Sequence, residues 1–303
     1  MVRRVARAHG FLDPLLVLAR LQRFAQPSEV AEPIELLRAG AVFHARGLLN
    51  SRVLQHNRDW VWPHWVERQF DPADPAFIPR AFSITHVNLT HRNWTAVGLP
   101  DMTDLPIVDP RGLVTPLHDG WSLDFWLVSD GAELLPSRAP MVRQRLEMDD
   151  DLAVSTHVEG GGMAVETRVL MVADPPGRGV CRIEATARAP GPGWLVVALR
   201  PANPEGVSLV HRVTLATDRR SWSVDGAIVR FAQPVERHHA ATYREGDVHV
   251  HLPTGPSRAE AECEVGMATA AALFALGPDN RRSVALDVPM PAEPGPPGGG
   301  WGR

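Results

Sequence analysis

The 303 residues include 44% hydrophobic and 22% charged side chains, which is apolar material for at least one sizeable core. The 31 basic residues, all arginine, stand against 35 acidic ones, and the formal charge of −4 excludes the electrostatic footprint of a nucleic-acid or anionic-membrane binder. Two cysteines, Cys181 and Cys263, are too few for a disulfide framework and lie in no zinc-ligand spacing, so buried reduced thiols are expected.

Residues 1–9 carry arginines in the manner of a signal n-region, but Asp13, Pro14, Arg20 and Arg23 interrupt the apolar stretch that follows. No membrane span or cleavage site results, and a soluble, cytoplasmic protein is expected. Leu12, Leu15, Leu16 and Ala19 recur at three-to-four spacing and predict an amphipathic helix over 11–24. After a turn at Gln26-Pro27-Ser28, a second helix begins near Pro33, with Ile34, Leu37, Ala41, Ala45 and Leu48 as its stripe. A short third helix falls within 60–70, and Asp71-Pro72-Ala73-Asp74-Pro75 ends it.

Beyond Pro79 the period changes to two. Trp121, Leu123, Phe125 and Leu127 share one strand face, while Ser122, Asp124 and Trp126 share the other. Met163 to Met171 alternates in the same way, and 194–199 is a continuous apolar run suited to a central strand. Further strands are predicted near 142–148, 152–158, 179–188, 207–216, 220–232 and 247–252. Residues 267–276 have helical propensity but read as a strand in this setting. The connections, such as Gly160-Gly161-Gly162, are too short for parallel crossovers. The expected fold is therefore mainly β: a large antiparallel β-sandwich over 79–288, preceded by two or three N-terminal α-helices over 1–78 and followed by a Pro/Gly-rich tail over 289–303.

Six of the nine tryptophans fall between Trp60 and Trp126. An indole suits core packing at a helix–sheet junction and stacking on sugar rings alike, and both roles stay open. Asn88, Arg92, Asn93 and Trp94 lie in an eight-residue run of amides, guanidinium, hydroxyls and indole able to hydrogen-bond a polyhydroxylated ligand, or to satisfy its own loop. Asp119 and Asp124, flanked by Trp121 and Trp126, are placed for burial and a shifted pKa. Together Asn88, Arg92, Asn93, Trp94, Asp119, Trp121, Asp124 and Trp126 form the candidate substrate-binding set. Asp247, His249 and His251 would share one strand face, with Val248, Val250 and Leu252 turned to the core. No further ligand completes a metal set, so no metal is expected. There is no GxSxG elbow, P-loop or Rossmann glycine pattern, and no cofactor is implied.

Several strings carry a family resemblance: His91-Arg92-Asn93-Trp94-Thr95-Ala96-Val97-Gly98, Val108-Asp109-Pro110-Arg111-Gly112-Leu113-Val114-Thr115-Pro116, Gly120-Trp121-Ser122-Leu123-Asp124-Phe125-Trp126-Leu127, Leu135-Pro136-Ser137 and Arg200-Pro201-Ala202-Asn203-Pro204-Glu205-Gly206. In style and order, over about half of the chain, they resemble the N-terminal sandwich region of bacterial glycogen-debranching, amylo-α-1,6-glucosidase-like proteins. The resemblance implies a supersandwich that precedes an (α/α)6 toroid, and the toroid holds the catalytic carboxylates. No catalytic residue is carried over, because these 303 residues contain no toroid. The expected function is a non-catalytic, α-glucan-associated module whose partners are an α-glucan or oligosaccharide and an (α/α)6 glycosidase domain. A stand-alone sugar-active enzyme using a carboxylate pair, and a structural domain without ligand, are the alternatives.

Overall fold

The computed structural model describes residues 49, 52–75, 94–100, 102, 105–117, 120–129, 131–148, 151–174, 178–204 and 206–291. By contact the chain divides into units 1–46 and 47–303, and all the described residues belong to the second. The helices expected over 11–24 and from Pro33 to residue 48 lie outside the described residues. The third is a short helix, His64–Glu67, continued by a 3-10 turn, Arg68–Phe70. Trp60, Trp62 and Trp65 around it join one buried cluster with side chains of both sheets.

Period-two alternation builds two antiparallel sheets, as expected for a sandwich. Among the described residues the first sheet runs β1 (Thr95–Ala96), β2 (Ile107–Val108), β3 (Val114–Thr115), β4 (Ser122–Ser129), β10 (Gly193–Arg200), β18 (Thr269–Ala275) and β16 (Arg237–Ala241), with β5 (Ala132–Leu134) paired to β4. The second runs β17 (Glu260–Glu262), β13 (Arg212–Leu215), β14 (Ser221–Val224), β15 (Ala227–Phe231), β19 (Arg281–Pro289), β9 (Arg178–Arg188), β8 (Met163–Asp174), β7 (Ala153–Gly160) and β6 (Met141–Glu147). A two-stranded ribbon, β11 (Ala202–Asn203) and β12 (Gly206–Val207), stands apart.

Leu123, Phe125, Leu127, Leu195, Val197 and Phe274 of the first sheet meet Val165, Val169, Ile183 and Leu286 of the second in the main core. The opposite face of the first sheet is buried as well. Trp126, Val196, Ala198, Ala271 and Leu273 pack there against Val61, Leu135 and Val248. This explains why β10 and β18 read as continuous apolar runs rather than alternating ones. It also explains why 269–275 is a strand despite its alanines: two paired neighbours and two covered faces override helical propensity. The outer face of the second sheet is polar, with Glu147 accepting from Ser155 Oγ at 2.6 Å and Arg168 Nε at 2.9 Å.

Several expected strands are corrected. Residues 220–232 form a hairpin, because Asp225 and Gly226 adopt φ 47° and 93°, the left-handed pair of a tight turn. The span 207–216 is broken into β12 and β13. Residues 247–252 are not a strand: Asp247 caps a 3-10 turn, Val248–His251, by accepting from His249 N. Val250 is 58% exposed rather than core-facing. Strands β16 and β19 were not anticipated. Pro289 closes β19, and the buried Met290 beyond it donates its N–H to Gly179 O, so the packed chain runs past the expected start of the tail.

At the start of β10, Gly193 faces Ser129 across the pair. A Cβ there would lie 2.5 Å from Val128 O and 2.8 Å from Ser129 Cβ. Gly193→Ala is expected to destabilise the fold by about 1–3 kcal/mol in chemical denaturation, through a forced shift of backbone rather than of a flexible side-chain end.

Candidate functional site

A cleft of about 400 Å³ opens between the His64–Glu67 helix and the β2–β3 loop, and its described lining includes His64, Trp65, Arg68, Trp94, Asp109 and Arg111. Local sequence builds it. Asp109-Pro110-Arg111-Gly112 has the residues of a tight turn, and Gly112 N donates to Asp109 O at 3.0 Å with Gly112 at φ 88°. Asp109 Oδ1 accepts from Arg111 N at 2.7 Å and Leu113 N at 2.9 Å, so the carboxyl staples the loop. Burial pushes the Asp109 pKa up to about 7, against those two N–H groups and with help from the nearby Asp124.

The turn aims Arg111 across the cleft. Its Nη1 donates to Ala139 O at 2.7 Å, and its Nη2 approaches His64 Nε2 at 3.3 Å. His64 Nδ1 lies 3.0 Å from Ser137 O and donates to it, which leaves Nε2 as the acceptor for Arg111. Burial and then the charge of Arg111 lower the His64 pKa and keep the ring neutral. Arg68 is neutralised by Asp74, with Nε 2.9 Å from both carboxylate oxygens. Arg111 has no carboxylate within ion-pair reach among the described residues. Trp65 Nε1 is buried without a hydrogen-bond partner, and Trp94 is half-buried at the cleft.

The candidate set from the sequence divides. Trp94 is at the cleft. Trp121, 5% exposed, and Trp126, 0% exposed, are core residues, so neither ring has a face open to a sugar. Alternation along β4 is the cause: both faces of that strand are covered. Asp124 is also buried, and burial raises its pKa against the pull of Trp126 and Arg200, but it is not part of the cleft lining. Asn88, Arg92, Asn93 and Asp119 lie outside the described residues. The set missed His64, Trp65, Arg68, Asp109 and Arg111. The Asp-Pro-Arg-Gly turn was a local signal for two of them, but no local pattern places His64 beside Arg111, 47 residues away.

The supposed Asp247, His249 and His251 face does not exist. Asp247 is buried against Arg200, whose Nη1 and Nη2 reach its two oxygens at 2.6 and 2.5 Å, while His249 Nε2 lies 2.6 Å from Glu133 Oε2. Among the described residues no group of three or more His, Cys, Asp or Glu side chains could hold a metal ion. None of the described helices is long and apolar enough to cross a membrane.

No family profile and no curated protein matches this chain. Among solved structures, a bacterial glucoamylase complexed with acarbose is similar at 11% identity and a TM-score of 0.45, over 64% of this chain and 34% of that one. The chain thus spans about a third of that structure's length, and no residue role is transferred from it.

Proposed function

We propose that this chain is a non-catalytic, glycan-contacting β-sandwich module of an α-glucan-degrading glycosidase system, and that it meets its glycan at the cleft beside Trp94. The carrying observation is the half-buried Trp94 indole in one cleft with the partly unengaged Arg111 guanidinium. An aromatic platform with a few convergent donors is how proteins hold polyhydroxylated ligands. The strings that resemble debranching-type sandwich regions support the same reading, and two of them, around Trp94 and Arg111, supply the cleft.

On this reading the catalytic carboxylates belong to an (α/α)6 domain outside these residues. The described lining of the cleft holds one carboxyl, Asp109, whereas hydrolysis of a glycosidic bond uses two. A cytoplasmic setting goes with the proposal, supported by two free, buried cysteines. Affinity electrophoresis in gels cast with glycogen or amylopectin tests it. The parent chain is expected to be retarded, and Trp94→Ala is expected to lose most of the retardation while its melting temperature changes little, since the ring is only half-buried. A parent chain that migrates unretarded would count decisively against this function.

A further inference from the structure

We infer that the ligand of the cleft is an anionic sugar, a glucosyl unit bearing a phosphate ester or a carboxylate, with its ring on Trp94 and its anionic group on Arg111. The inference rests on the glycan reading of the same cleft and adds a charge to the substrate class.

Hydrogen-bond accounting carries it. A guanidinium has five N–H donors, and two of the Arg111 groups are engaged, by Ala139 O and His64 Nε2, both neutral acceptors. Three N–H groups and a full positive charge are left beside the cleft. Two side-chain acceptors of the described lining are already engaged. His64 Nε2 faces Arg111, and Asp109 Oδ1 takes two backbone N–H groups of its own turn. Both carboxylate oxygens of Asp74 hold Arg68. A neutral sugar hydroxyl leaves the positive charge of Arg111 uncompensated. A phosphate or carboxylate brings only acceptors, and a guanidinium fork holds either through paired bonds. Asp109 does not cancel the charge of Arg111 below about pH 7, because burial keeps its proton on.

Calorimetry on the full chain at pH 6.5 and low ionic strength, with glucose 6-phosphate, glucuronate, glucose, maltotriose and inorganic phosphate as probes, tests the inference. Glucose 6-phosphate and glucuronate are expected to bind at least about tenfold tighter than glucose, and glucose 6-phosphate tighter than inorganic phosphate, with the preference shrinking as salt rises. Arg111→Gln should abolish the preference of the chain for glucose 6-phosphate and glucuronate over glucose. If that variant does not fold, Arg111→Lys, which keeps the charge but loses the planar fork, should lower affinity for the anions several-fold. Equal affinity for glucose and its phosphate overturns the inference, as does a preference that neither substitution reduces, or inorganic phosphate binding as tightly as the sugar phosphate. Maltotriose bound without discrimination overturns this inference alone, whereas absence of binding by every sugar overturns the glycan reading with it.

Discussion

Asp247→Ala is expected to destabilise the fold by about 3–5 kcal/mol, because it strands the Arg200 guanidinium in the protein interior. The Arg200 side chain is 3% exposed and that of Asp247 0%. Their bidentate contact is completed by Arg200 Nη2 donating to Val61 O at 2.8 Å and Val61 N donating to Asp247 Oδ2 at 2.9 Å. The Arg200 guanidinium also lies over the Trp126 ring, 5.1 Å from its centroid. The pair therefore ties the segment before the His64–Glu67 helix to β10 and to the 3-10 turn capped by Asp247. Removing both charges, as in Arg200→Met with Asp247→Leu, is expected to cost clearly less than Asp247→Ala alone, since no buried charge is then left unpaired. Urea denaturation of the single and double variants measures the difference. A double variant that loses as much as the sum of its singles would mean the two side chains do not act as a pair. Burial alone would raise the carboxyl of Asp247, but the charge and hydrogen bonds of Arg200 hold it below its ordinary value of 3.8. Its contribution is thus complete above about pH 4 and is lost as pH falls through the depressed value.

The second large effect concerns pH, and it arises from two buried groups with opposite signs. Asp109 has a pKa near 7 in the fold against an ordinary 3.8. The folded state therefore holds its proton where the unfolded state has released it, and the contribution of Asp109 to stability declines between pH 4 and 7 by roughly 4 kcal/mol. His238 is the reverse. Trp222 Nε1 donates to its Nε2 at 2.9 Å and its Nδ1 donates to Arg258 O at 2.6 Å, which saturates the neutral ring. Burial lowers its pKa to about 4 from 6.5, helped by the charges of His239 and Arg219. Between pH 4 and 6.5 the unfolded state binds the proton that the folded ring refuses, so its contribution rises with pH by roughly 3 kcal/mol. In Asp109→Asn the amide oxygen can accept the same two backbone N–H groups. The stability of that variant relative to the parent is expected to improve by roughly 4 kcal/mol from pH 4 to 7. His238→Gln should show the opposite trend, losing ground against the parent as pH rises. Denaturation midpoints across that range decide it, and profiles of both variants that run parallel to the parent would refute the assignment.

Most of β4 and β6 to β9 is legible from the two-residue period, whereas β10 reads as a continuous apolar run and β18 as a strand only from its setting. The sequence also shows large aromatics on both faces of β4, but says nothing about what covers them. That omission explains the treatment of the tryptophans. Trp94 and Trp126 look alike in a string of letters, and only the packing of Val61, Leu135 and Val248 over the outer face of the first sheet makes one a core residue. The 247–252 segment failed for a related reason. Its alternation of valine and histidine suits a strand, but the buried Arg200 recruits Asp247, and the carboxylate then caps a 3-10 turn.

Composition and periodicity by themselves determined the class of this protein: an antiparallel sandwich with a negative net charge and no disulfide framework. They suffice because a two-residue repeat with short turns allows little besides paired antiparallel strands whose apolar faces meet. The cleft was decided by tertiary structure. His64 and Trp65 come from one helix and Asp109 and Arg111 from the turn between β2 and β3, and the hydrogen bonds of His64 span up to 73 residues. Whether a polar atom among them is satisfied or free depends on which distant carbonyl or ring nitrogen the fold brings within about 3 Å, and no local pattern encodes that distance.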